Sequence, residues 1–185
     1  MHRCIALLVL VVAGCASSRP SDEATGGTIQ TTRVHTGSGR TLEAMNVTDP
    51  SVRTATLPAP IDRVWTQLAG VFAELDIPIT IADTLTHTMG TRGSTFRRRL
   101  AGDKLSAWVE CGVTAMGLRN ADSYSVRLEI LARLESLDSA RTLVRTQVRG
   151  DAAAEGTSEA RVRCASNGRL EKRISDLVAE RLAGK

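Results

Sequence analysis

Aromatic residues are almost missing from this chain: two Trp, one Tyr and two Phe among 185 residues, or 3%. Proteins that hold nucleic acid by base stacking interleave aromatic and basic side chains, so the sequence argues against a nucleic-acid partner. Lysine is nearly as scarce. Of the 24 basic residues only Lys104, Lys172 and Lys185 are not arginine, and the net charge of +4 is mild. Histidine is confined to His2, His35 and His87. His35 lies in the polar N-terminal segment and His87 stands alone, which argues against a metal site. Nothing around His87 resembles the nucleophile elbow of a Ser–His–Asp triad. The segment Gly90-Thr91-Arg92-Gly93-Ser94-Thr95 has neither the spacing nor the Lys of a phosphate-binding loop and is expected to be a hairpin turn. With no nucleophile set beside a base, neither an enzyme nor a cofactor site is expected.

Long apolar runs are also lacking, with one exception at the start. Arg3 precedes Ile5-Ala6-Leu7-Leu8-Val9-Leu10-Val11-Val12, which closes on Ala13-Gly14-Cys15. That run falls short of the about 20 residues that span a bilayer as a helix, and it has the layout of a secretory h-region before a small-residue cleavage site. Val12-Ala13-Gly14-Cys15 resembles the bacterial lipobox, with Val12 where Leu is commonest. The resemblance implies a signal peptide over residues 1–14, cleavage before Cys15, and lipidation of the Cys15 sulfur and its new amino group. It also implies a membrane partner through that anchor and a cell-envelope location. By the usual sorting rule Ala16, in place of Asp, favours the outer membrane, facing the periplasm.

Residues 15–50 are rich in Ser, Thr and Gly and nearly devoid of large apolar side chains. Such a segment buries too little surface to offset its ordering entropy, so a flexible tether is expected, with Thr28–His35 and Thr41–Val47 as strand-like pieces. Residues 51–185 are enough for one domain. Once Cys4 leaves with the leader and Cys15 carries lipid, Cys111 and Cys164 remain. An even pair in an exported chain reads as a disulfide, with two buried free thiols as the alternative.

Within the domain, Val52–Leu57 reads as a strand. Ile61, Val64, Trp65, Leu68, Val71, Phe72 and Leu75 follow the i, i+3, i+4 spacing of a helix with one apolar face, with Pro60 in its first turn. A strand is expected from Ile79 to Asp83, continuing through Met89, then one from Thr95 to Leu100 and another from Leu105 to Cys111. Period-two alternation is clearest from Tyr124 to Leu134 and again from Arg141 to Arg149, predicting a long antiparallel hairpin with one covered and one wet face. On that wet face Glu129 and Glu135 are expected in cross-strand ion pairs. Arginines 97–99, 127, 133, 145 and 149 are read as a solvated face balanced by nearby carboxylates, with a basic face toward anionic headgroups as the alternative. A loop from Gly150 to Ser158 leads to a short extended piece. A last helix then carries Leu170, Ile174, Leu177, Val178 and Leu182, capped by Ser166 or Asn167.

The expected fold class is α+β, an antiparallel sheet of five or six strands with one helix in the N-terminal half and a long C-terminal helix. This order of elements resembles the helix-grip domains of outer-membrane-assembly lipoproteins of the BamC type. The expectation for function is a non-enzymatic interaction module with an envelope protein partner. The alternative is a carrier of a small apolar or lipid ligand between sheet and last helix.

Overall fold

A computed structural model describes residues 24–25, 29–35, 41–47, 52–154 and 161–184. The leader, Cys15, the rest of the 15–50 segment and residues 155–158 of the expected 150–158 loop lie outside the described residues. Two strand-like pieces of the 15–50 segment, β2 (Ile29–His35) and β3 (Thr41–Val47), pair with each other as an antiparallel hairpin, and β1 (Ala24–Thr25) lies along β4 (Val52–Leu57).

The two alternating stretches form the centre of the sheet as β10 (Ser125–Ser136) and β11 (Thr142–Ala153), paired from Ser125 opposite Ala153 to Ser136 opposite Thr142. Val126, Leu128, Ile130, Ala132, Leu134, Val144 and Val148 are buried on one face. A Val, Leu or Ile fully withdrawn from water contributes about 1.5–3 kcal/mol, so this face fixes which side of the sheet is covered. β11 runs further than its composition suggests. Gly150 to Ala152, expected to open a loop, pair with β12 (Val162–Ser166), which supplies hydrogen-bond partners that small polar residues do not advertise.

β11 therefore has two neighbours in series, β4 along Thr142 to Gln147 and β12 along Arg149 to Ala152. On the far side of β10 lie β6 (Thr88–Arg97) and then β5 (Ile81–Asp83); β9 (Val109–Glu110) extends the sheet beyond β12. The result is an eight-stranded sheet, antiparallel at every pairing. The fold class is α+β as expected, with more strands than the five or six anticipated. A separate two-stranded hairpin joins β7 (Arg99–Leu100) to β8 (Asp103–Lys104).

α1 (Ile61–Glu74) buries Val64, Leu68, Val71 and Phe72, and α3 (Arg169–Leu182) buries Leu170, Ile174, Leu177 and Val178. These apolar faces meet each other and the covered side of the sheet, α1 over β10 and α3 over β11 and β4. Arg181 donates to Glu74 at 2.8 Å, tying the ends of the two helices. α2 (Asn120–Ser123) is a single turn. Pro60 stands one place earlier than expected. It is the N-cap, in an extended conformation (ψ 151°), and its carbonyl accepts from the N–H groups of Arg63 and Val64. The N-cap of α3 is Gly168 (φ 79°), so neither Ser166 nor Asn167 occupies that place. Both still serve the helix entry, as Ser166 Oγ accepts from the Gly168 N–H and Asn167 Oδ1 from the Arg169 N–H.

Two strand expectations and one turn expectation fail for local reasons. The stretch after Ile79 does not continue to Met89, because Asp83 folds it into a hairpin turn. Its carboxylate accepts from the N–H groups of Leu85 and Thr86 and from the Thr86 hydroxyl, and His87 takes a positive φ of 47°. Gly90 and Gly93 do not bracket a turn but lie inside β6. The register with β10 shifts there, Ser94 facing Leu128 and Arg92 facing Glu129, so Gly93 is the extra residue of a bulge at φ 75°. From Leu105 to Cys111 the chain makes a 3₁₀ turn over Leu105–Ala107, and only Val109–Glu110 is strand. The Trp108 indole N–H donates to the Leu100 carbonyl at 2.9 Å and holds that turn against the β7–β8 hairpin.

Candidate functional site

The disulfide forms between Cys111 and Cys164. The bridge does not run directly from sheet to last helix. β9 and β12 are already hydrogen-bonded neighbours, Glu110 opposite Ala165, so the bond links adjacent strands. α3 follows β12 after Asn167 and Gly168. Asn167 also donates to the carbonyls of Trp108 and Ala107, so the entry of α3 is held by the bridge and these hydrogen bonds together.

The wet side of the sheet carries a groove of about 670 Å³. Its walls come from β6, β10, β11 and β12, and its charged lining is Arg92, Arg127, Arg149, Arg161 and Arg163 against Glu129 and Asp151. Alternation puts these side chains opposite the helices, and register sorts them into two rungs. In the first, Glu129 faces Arg92 on β6 and Arg149 on β11. Arg92 Nε donates to Glu129 Oε2 at 2.9 Å and Arg149 closes on Oε1. In the second, Asp151 faces Arg127 on β10 and Arg163 on β12. Arg127 Nη2 lies 3.1 Å from Asp151 Oδ2, and Arg161 closes on Oδ1.

Each carboxylate is thus shared by two guanidinium groups and lies beneath them. The Glu129 side chain is 13% exposed and that of Asp151 24%, whereas Arg92, Arg127, Arg149 and Arg161 are about half exposed or more. Arg163 is exposed and makes no ion pair among the described residues. Five cations face two anions, so the lining has a formal surplus of three positive charges.

The arginine face read from sequence is only partly this groove. Arg127 and Arg149 line it. Arg133 and Arg145 lie opposite one another farther toward the β10–β11 turn, where Arg145 approaches Glu135 at 3.5 Å. Arg97, Arg98 and Arg99 are absent from the lining: the chain leaves β6 there, Arg98 at a positive φ of 62°, and Arg99 donates to the Gly102 carbonyl. Arg92, Arg161 and Arg163 were not expected. The signal for two of them was the alternation Arg161-Val162-Arg163; for Arg92 the bulge hides it.

A second surface feature is the finger between Cys111 and Asn120. Val113 pairs with Arg119, Thr114 N–H donates to the Leu118 carbonyl, and Gly117 N–H to the Thr114 carbonyl. At its base the Asn120 side chain donates to the Cys111 carbonyl at 2.9 Å. The braced tip exposes Val113, Leu118 and, at 83%, Met116.

His87 meets Trp65 edge-on, the ring centres 6.1 Å apart. No cluster of three or more metal-ligating side chains occurs among the described residues, and no described helix is long and apolar enough to cross a membrane. Compared with known proteins, the chain matches no family model and no curated sequence.

Proposed function

We propose that this protein is a lipid-anchored cell-envelope lipoprotein whose single domain is a non-enzymatic contact module, held at the outer membrane and facing the periplasm. The observation that carries the reading is the leader, a positive Arg3 and an apolar run ending in Val12-Ala13-Gly14-Cys15. Dual acylation at Cys15 exceeds the two signals needed for stable anchoring. The Cys111–Cys164 bond agrees with an oxidising compartment. The contact role is supported by the finger, where a loop braced by backbone hydrogen bonds holds Val113, Met116 and Leu118 exposed to solvent.

The alternative, a carrier of an apolar ligand between sheet and last helix, has less support. That space is occupied by Leu68, Phe72, Leu128, Ile130, Leu170 and Ile174, all withdrawn from solvent, and an apolar ligand needs an apolar cavity. Metabolic labelling with palmitate tests the anchor. The wild-type chain is expected to take up label and fractionate with membranes, and Cys15→Ser to remain unlabelled and unprocessed. An unlabelled wild type, or a Cys15→Ser form that matures and fractionates normally, overturns the reading.

A further inference from the structure

The arginine groove has no part in the anchor or the finger, and its geometry suits a ligand. We infer that it binds phosphate-ester groups, through the guanidinium groups of Arg92, Arg127, Arg149, Arg161 and Arg163. The inference holds whether or not Cys15 is lipidated.

Three observations carry it. First, the cations are preorganised. Glu129 and Asp151 lie low in the sheet and each restrains two guanidinium groups above it, so less side-chain freedom remains to be lost on binding. Second, donors remain. A guanidinium has five N–H donors, and those here commit only one or two each to the carboxylate beneath. The outward donors come from four adjacent strands. A tetrahedral phosphate, with acceptors pointing several ways, meets donors arriving from different strands, where a planar carboxylate meets one fork at a time. Third, the charge surplus and size agree. Three uncompensated positive charges match a dianionic phosphate better than a single carboxylate, and about 670 Å³ holds an organic phosphate as well as a bare ion. Arg163, exposed and outside the ion pairs, is the side chain that engages the ligand without giving up an existing partner.

Phosphate esters reach such a site either as soluble phosphorylated molecules or as phospholipid headgroups. Calorimetric titration of the full chain separates them, using glycerol 3-phosphate in one arm and a short-chain phosphatidylglycerol below its micelle concentration in the other. Acetate serves as the control. Saturable binding in the first arm assigns a soluble source, and binding in the second alone assigns a headgroup. In either case acetate is expected to bind at least about tenfold more weakly, and added salt to weaken binding, as for any charge-assisted contact. Arg163→Ala is expected to cut affinity about tenfold. Arg133→Ala, on the same face but outside the groove, is expected to leave it unchanged. Because Arg163 is exposed and unpaired, its variant tests the site without unfolding the sheet. Absence of binding in both arms, equal binding of acetate, or an unchanged affinity in Arg163→Ala overturns the inference.

Discussion

At Gly90 the α-carbon of β6 comes so close to β10 that an added Cβ would overlap the Ile130 carbonyl oxygen, and the backbone there sits at φ 155°. Neither conflict can be relieved by turning a side chain, because the obstacle is backbone in the middle of a sheet. Gly90→Ala is expected to lower the unfolding free energy by about 3 kcal/mol, the upper part of the range for overpacked sites. Gly102, at φ 80° with open space around it, supplies the contrast. Gly102→Ala meets only the left-handed backbone penalty and is expected to cost about 1 kcal/mol. Urea denaturation of both variants checks the pair, and equal losses would refute the close-approach argument. The sequence displayed these glycines but not their reason. Gly93 adds one residue to β6, so Met89 and Thr91 face the core before it and Phe96 packs against the core after it. An alternation that changes phase midway looks like no alternation, which is why Gly90 and Gly93 read as turn residues.

At the scale of elements, the legible ones are those whose partner surface is uniform along their length. β10 and β11 face the helices throughout, and α1 and α3 each bury one stripe, so period two and period 3.6 are unbroken and their positions follow from sequence. The turn between β5 and β6 was not legible, because it depends on one carboxylate. Asp83 accepts from the Thr86 hydroxyl and from the N–H groups of Leu85 and Thr86, with His87 nearby; chiefly through Thr86, these hold its pKa below the ordinary 3.8. A lowered folded-state pKa means stability that is present in full above the unfolded value and is lost as pH falls through the lower one. Asp83→Asn is therefore expected to be less stable than wild type near neutral pH, with the gap closing in acid. Urea midpoints measured from about pH 7 down to about pH 2 follow the gap directly. A constant difference across that range would remove the linkage.

For the whole molecule, the Cys111–Cys164 bond closes a segment of 53 residues containing β10 and β11. In the chain-entropy account this stabilises the native state by about 4 kcal/mol. The Cys111→Ser/Cys164→Ser double variant, or reductant on the wild type, is expected to lower stability toward that amount. Loss of amide protection should appear first in β9, β12 and the first turn of α3. Unchanged protection there would show that the Asn167 contacts alone hold the helix entry.

The sequence by itself determined the α+β class, the central hairpin and the two long helices, because each is written in local periodicity. Only the tertiary structure decided which arginines share a surface. That choice depends on register, on the bulge at Gly93 and on β12 lying beside the second half of β11. Contacts between strands far apart in the chain leave no period in any one of them, so Arg92, Arg149 and Arg163 become neighbours only once the sheet has closed.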